Sequence, residues 1–358
     1  MGIRFRRRFE EGGLRWALAS AAGVLFALLL SAALLALRGI SPASFFYVLL
    51  EAPFGSSYGL KETAVKAVPI AFCALAVSLS FRMLLWNIGA EGQLHLGAFA
   101  AALFARHLDW GSRALNLPAM GLSAFVAGGL YASLVGLLKV RLRVNEVISS
   151  LMLNYVALLW MDYLVYGPWK DPSSLGFPMT PLIPPSHSLP VLIPPRLHLG
   201  VLLVVLSSAA LHLLLERTSF GYEVRVTGSS KEASLYAGMN YWRNVLLVMF
   251  LSGGLAGLAG FCEFSGLIHR LQPSMSPGYG FTGITVAWLS RVKPLVALPV
   301  SYLVAALFVA GDALQISFRL PLASVQVVQG LVLTFALVGD FFSRYELVLE
   351  GRAGEGDA

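Results

Sequence analysis

Residues 16–37 read WALASAAGVLFALLLSAALLAL, 22 residues without a formal charge. A helix rises about 1.5 Å per residue, so roughly 20 apolar residues cross a bilayer core of about 30 Å. The pattern recurs along the chain. Residues 114–138, 197–215, 244–262, 271–290, 294–311 and 320–339 are each uncharged over 18 to 25 residues. Only 13% of the 358 residues are charged, against about 25% in an ordinary soluble domain. That excludes a soluble enzyme and leaves one membrane domain with connecting loops.

The net charge of +7 could point to nucleic acid, but its placement argues against that partner. Arg4, Arg6, Arg7, Arg8 and Arg15 precede the first span. Lys139, Arg141 and Arg143 follow the fourth, and Arg217, Arg225, Lys231 and Arg243 lie between the sixth and seventh. With a cytoplasmic N-terminus and ten spans, most Lys and Arg fall inside, which is the bias that orients membrane proteins. The basic surface then faces anionic lipid. The first apolar run exceeds a signal peptide's core of about 7–15 residues, so it is expected to be a retained span. Cys73 and Cys262 lie in apolar segments and form neither a disulfide framework nor a metal cluster.

The strong spans are 16–37, 114–138, 197–215, 244–262, 294–313 and 320–340, with 147–167 interrupted by Asp162. Two regions depart from this regularity. Between Lys66 and Arg106 the only formal charges are Arg82 and Glu91. Two crossings and a turn must fit there, which predicts two short or tilted helices meeting at a break over 82–93. The second region, 271–290, contains Pro273, Pro277, Gly278, Gly280 and Gly283. Pro removes a helical hydrogen bond and Gly loosens the backbone. Irregular backbone at membrane depth is tolerated only inside protein or beside a water-filled cavity. Residues 87–101 and 276–290 both pass from a Gly-containing break into a short apolar helix. Paired interruptions of this kind point to a transport path between pseudo-repeat halves; two unrelated Gly-rich helix contacts are the alternative. The fold class is an all-α membrane protein of about ten transmembrane helices, some short or broken.

Few polar residues remain to carry function. Glu91 sits in WNIGAEGQ (86–93), where it is either a structural cap at a cytoplasmic turn or a group that meets solute. A charge beside hydrocarbon is costly, so it must face protein or water. Glu146 opens its helix, where a negative charge suits the helix dipole. Asn154, about two turns deeper, suits a bond to a neighbouring helix. Asp162, Glu263 and Asp312, near span ends, are expected to reach headgroups or water. Gly253, Gly254, Gly257 and Gly260 form a small-residue face for close packing. Residues 168–195 form an external, proline-rich, extended loop. SPASFFYVLLEAPF (41–54) suits an amphipathic interfacial helix. No GxxxxGK[ST], HExxH or catalytic constellation occurs, so no cofactor, metal or catalysis is expected on this chain.

The segment 216–243 reads ERTSFGYEVRVTGSSKEASLYAGMNYWR. Ser229 or Ser230 can cap a helix starting near Lys231, and Gly238 can stop it. A short helix too polar to span suits either a plain connection or docking to a soluble partner.

WNIGAEGQLHLGAF (86–99), NEVISSLMLNYVA (145–157), FGYEVRVTGSSKEASLYAGMNYWRN (220–244) and SPGYGFTGITVAWL (276–289) resemble the permease subunits of bacterial ABC importers. The branch is the one that carries ribose-type sugars, nucleosides and branched-chain amino acids. Over about 60–340 the chain is most similar to its nucleoside/simple-sugar sub-branch. Ser229-Ser230-Lys231 stands where the family commonly has an Asn-containing stretch.

The resemblance implies a permease in the bacterial inner or plasma membrane, with both termini cytoplasmic. It implies a basic N-terminus over 1–15, a permease domain over 16–342 and a tail over 343–358. The implied partners are a cytoplasmic ATPase binding Mg-ATP, a second permease (identical or different) and an extracellular solute-binding lipoprotein. Gly228, Glu232, Ala233, Tyr236, Ala237, Gly238 and Met239 would form the helix that docks the ATPase. Asn87, Glu91, Gln93, Asn154, Gln272 and Trp288 are placed near the path, with Trp288 able to stack on a base or sugar face. The competing class is an ion-coupled secondary transporter with Glu91 or Asp162 as proton carrier.

Overall fold

The structure is a computed structural model that describes residues 2–7 and 13–350. Residues 1 and 8–12 of the expected basic N-terminus and 351–358 of the tail lie outside the described residues. The apolar runs become helices because a bilayer offers backbone amides no partners except one another. In chain order these are α1 (Gly13–Ala36), α2 (Pro42–Phe54), α3 (Ser57–Arg82), α4 (Ala90–His107), α5 (Arg113–Leu142), α6 (Glu146–Tyr166) and α7 (Gly200–Arg217). There follow α8 (Ser219–Ser229), α9 (Lys231–Tyr236), α10 (Tyr241–Glu263), α11 (Tyr279–Leu289), α12 (Pro294–Phe318) and α13 (Leu322–Arg344). A wide π turn, Phe264–Ile268, continues α10. The short strands are β1 (Gly2–Arg7), β2 (Val191–Ile193), β3 (Leu197–His198) and β4 (Tyr345–Glu350).

Eight helices among the described residues are long and apolar enough to cross a membrane: α1, α3, α5, α6, α7, α10 with its π turn, α12 and α13. The expected ten is not reached on length and apolarity. α4 has 18 residues but includes Glu91, Arg106 and His107. α11 has 11 residues, about 16 Å of helix, roughly half a crossing.

The first interrupted region also departs from expectation. α3 begins at Ser57 and takes in Lys61, Glu62 and Lys66, so it is a full 26-residue helix. The break is confined to 83–89. Its neighbour on the N-terminal side, α2, is helical as expected. Ser41 caps it, Pro42 opens it, and Phe45, Leu49 and Pro53 form its buried stripe.

The chain divides into two compact units, residues 57–306 and the terminal parts 1–56 with 307–358. In the first unit α3 is the core helix, with every residue from 67 to 81 buried. α10 packs against α3, α4 and α5. Without a hydrophobic drive in lipid, such contacts rest on close backbone approach. A Cβ on Gly128 would stand 3.0 Å from Gly257 Cα, and one on Gly257 would strike the Ala124 carbonyl. The glycine face of α10 is thus a helix-packing face. Glu263 does not reach water: it is 4% exposed, because the π turn carries the helix on past it.

In the second unit α1 packs along α13, with Phe26 and Phe335 4.9 Å apart. Ala32 and Leu35 of α1 share a buried cluster with Phe45 and Leu49 of α2 and Ala310 and Leu314 of α12. β1 pairs antiparallel with β4, Arg4 opposite Val348. Both described ends of the chain therefore lie at the same end of the α1–α13 pair.

The proline-rich loop 168–195 is largely irregular, as expected. It is not loose. Thr180 N–H donates to Leu271 O (3.0 Å), Ile183 N–H to His269 O (3.0 Å) and Leu189 N–H to Ser265 O (2.8 Å). β2 and β3 close it as a short hairpin.

Candidate functional site

The two interrupted segments meet. α3 stops at Arg82, and Leu84 takes a left-handed φ of +54°. The chain then doubles back as 85–89. The Leu85 N–H still bonds the Ser80 carbonyl of α3 at 3.0 Å, while buried side chains serve the Ile88 and Gly89 amides, as polar backbone in a dry interior requires. Asn87 Oδ1 accepts from Gly89 N–H (3.0 Å) and from Gln93 Nε2 (2.9 Å). Asn87 Nδ2 donates to Gln93 Oε1 (3.0 Å) and to Ser252 Oγ of α10 (2.9 Å). Ser252 in turn donates to Ala76 O of α3 at 2.6 Å. From α6, Ser150 Oγ accepts Ile88 N–H at 3.2 Å. Asn154 clamps the turn with both ends of its amide: Oδ1 accepts Gly92 N–H and Nδ2 donates to Ile88 O, each at 2.8 Å. Asn87, Gln93 and Asn154 are all at most 1% exposed.

Glu91, 2% exposed, faces the second interruption. Its Oε2 accepts the Gly280 N–H at 2.6 Å. Gly280 lies in the first turn of α11, where helix amides lack internal partners and the dipole favours a negative charge. Ser276 Oγ accepts the neighbouring Gly278 and Tyr279 N–H groups at 3.2 and 3.0 Å. Only glycine fits at 280, because a Cβ would lie 2.6 Å from Glu91 Cα. Three residues on, a Cβ on Gly283 would lie 2.6 Å from Cys73 Cβ, near the middle of α3. The starts of α4 and α11 therefore meet at mid-depth, and the Glu91 carboxylate sits between them. From there α11 runs toward Arg82, while α4 runs toward the loop 168–195.

Of the six residues placed near a path, the structure gathers Asn87, Glu91, Gln93 and Asn154 into this one buried junction. Gln272 lies elsewhere, half-buried in the irregular stretch before α11. Trp288 lies at the far end of α11, its ring 5.8 Å from Phe81 and 6.0 Å from Trp86. Ser150, Ser252 and the Gly280 amide escape sequence reasoning. Serines in spans are common, and nothing local marks which one meets the break.

The segment 216–243 forms two helices, not one. α9 starts after Ser230, whose Oγ accepts Ala233 N–H at 3.1 Å, and ends before Gly238 at φ +75°. Hydrogen bonds from its own backbone and from Ser230 hold the Glu232 carboxyl below the usual carboxylate range. Glu232, Ala233, Ala237 and Gly238 are exposed, Tyr236 is 99% exposed and Met239 is half-buried. Gly228 does not belong to that helix. It ends α8, which Thr218 caps and which buries Gly221, Val224 and Thr227 at every third position. That spacing was the readable sign of α8.

A family profile described as "Branched-chain amino acid transport system / permease component" matches residues 59–337. The chain belongs to this permease family. Among relatives of this permease, the "Glucose ABC transporter permease protein TsgB13" of Haloferax volcanii is 35% identical over 90% of this chain and 88% of its own. The "Guanosine ABC transporter permease protein NupP" of Bacillus subtilis is 32% identical over 87% of this chain and 90% of its own. The "Guanosine ABC transporter permease protein NupQ" of the same organism is 27% identical over 66% of this chain and 76% of its own. The permease is a multi-pass all-α membrane protein of the ABC-transporter kind, as the resemblance implied.

Proposed function

We propose that this permease forms half of the translocation pore of an ATP-driven importer for nucleosides or simple sugars. The observation that carries the ATP-driven reading is α9. A capped helix of six residues holds Ala233, Leu235, Tyr236 and Ala237 out in water, which suits capture by a cleft on a soluble ATPase. The relatives named for glucose and guanosine support the solute class. Two guanosine permease proteins of one organism both align with this chain, which favours pairing with a second, different permease.

On this reading Mg-ATP binds the partner ATPase, and an external solute-binding protein delivers the solute to the face of loop 168–195. α8, α9 and both termini lie in the cytoplasm beneath the inner or plasma membrane. The pairing of β1 with β4 fits two termini on one side. Asn87, Glu91, Gln93 and Asn154 set the geometry where two discontinuous helices meet, as transporters place their moving parts beside broken helices. Gln272 precedes α11 and Trp288 lies at its far end, on either side of the half-crossing.

The test is reconstitution into liposomes with the ATPase, the second permease and the binding protein. Labelled guanosine or glucose accumulates only with ATP and with the ATPase present. Uptake by the permeases alone on an ion gradient would instead favour a secondary transporter using Glu91 or Asp162.

A further inference from the structure

α8 lies directly on the junction's cytoplasmic ends. A Cβ on Gly228 would stand 2.9 Å from Met83 Cα, so α8 packs on the backbone that opens the 83–89 break. Asn244 Nδ2 of α10 donates to Glu223 Oε2 of α8 at 3.0 Å and keeps that helix seated. Three charges complete the contact. Arg225 of α8 has Nη1 2.7 Å from Leu215 O and 3.5 Å from Glu216 Oε2. The other oxygen of Glu216 pairs with Arg82 Nη2 at 2.8 Å. Arg82 Nε donates to Val292 O at 3.2 Å.

Val292 lies in the turn that follows the half-crossing α11. Arg291 and Val292 both hold left-handed backbones, φ +51° and +58°. A β-branched residue rarely adopts that conformation, so the surroundings must hold it. Arg82 is thus the last residue of α3 and the neighbour of the first break. It also donates to the turn after α11 and pairs with the carboxylate that Arg225 of α8 approaches.

We propose that Arg82 is a positioning residue that transmits displacement of α8 and α9 to both discontinuous segments, through Glu216 on one side and Val292 on the other. The proposal rests on the reading that α9 is the ATPase contact. The Arg82 and Glu216 side chains are 22% and 35% exposed. A solvated pair of this kind adds little to folding stability. A structural role alone would therefore leave transport per ATP unchanged, whereas a transmitting role would not.

The experiment uses the full complex in liposomes, with uptake and ATP hydrolysis measured together, and variants Arg82→Gln, Glu216→Gln, their double and Arg82→Lys. We expect Arg82→Gln and Glu216→Gln to keep ATPase assembly and hydrolysis within twofold while solute moved per ATP falls tenfold or more. The double falls no further than Arg82→Gln alone, because Glu216 acts through Arg82. Arg82→Lys recovers part of the loss. Should Arg82→Gln fail to assemble, Glu216→Gln alone decides, since it leaves the Arg82–Val292 bond in place. Transport per ATP within twofold of wild type overturns the proposal. So does a parallel fall of uptake, hydrolysis and melting temperature. Tyr236→Glu separates the premise: if the ATPase still binds and drives that variant normally, the docking reading itself is wrong, whatever Arg82 does.

Discussion

The Glu91 carboxylate and the Gly280 amide are hydrogen-bonded at 2.6 Å across 189 residues of sequence. One short bond thus ties the start of α4 to the start of α11 inside the membrane. A helix start in a dry interior needs an acceptor, and a carboxylate is the strongest one available.

Glu91→Gln keeps an acceptor oxygen and should remain folded. Glu91→Ala strands the Gly280 N–H and should cost about 1–3 kcal/mol. Gly280→Ala should be worse, because its methyl meets Glu91 backbone rather than a movable side chain. Melting temperatures in detergent order the three variants. A Glu91→Ala protein as stable as the parent would refute the capping role.

Asn154 serves as donor and acceptor to the same turn. Asn154→Asp retains the acceptor, loses the donor and sets a negative charge beside Ile88 O. Asn154→Ala loses both bonds. Each should lower stability by about 1–2 kcal/mol, and a cycle with Ser150→Ala should be non-additive, since both serve the 88–92 backbone. Denaturant titration in mixed micelles reads both numbers.

Ser230 caps α9, so Ser230→Ala should cost that helix about 1 kcal/mol. Tyr236→Ala removes an almost fully exposed ring and should leave the melting temperature unchanged. Both should weaken ATPase association, by roughly tenfold if Tyr236 is an anchor. Pull-down of the ATPase by the two variants, alongside the parent, checks this; equal capture by all three would count against α9 as the contact.

His198, on β3 just past the loop 168–195, is 2% exposed and packs against Gly200 and Gly266. Burial, helped by the nearby His269, pushes its pKa from 6.5 down to about 4. The folded protein keeps His198 neutral while the unfolded chain takes up a proton below 6.5. Stability from this group is therefore complete above pH 6.5 and lost as pH falls toward 4, by roughly 3 kcal/mol. His198→Gln should flatten that part of a melting-temperature profile; an unchanged acid limb would exclude His198 as its source.

The long spans were legible because lipid demands uncharged helices of fixed length, and charges mark their ends. The cap and stop of α9 were legible because Ser230 and Gly238 act within one turn. Two of the failed expectations have reasons outside local sequence. α3 absorbs Lys61, Glu62 and Lys66, and Glu263 is buried, because in each case the helix runs on past charged residues. α8 escaped notice because its buried stripe of Gly221, Val224 and Thr227 carries little hydrophobic signal.

Composition and spacing by themselves determined that this chain is an all-α membrane protein, that its regular spans are interrupted within 82–93 and 271–290, and that a short polar helix starts near Lys231. Those features rest on backbone bonding within a few residues and on transfer to lipid. Tertiary structure alone decided that the two breaks meet, that Glu91 caps α11 and not its own turn, and that Arg82 meets both Glu216 and Val292. Such pairings depend on which helix faces are brought together, and a buried polar group takes whichever partner that packing supplies.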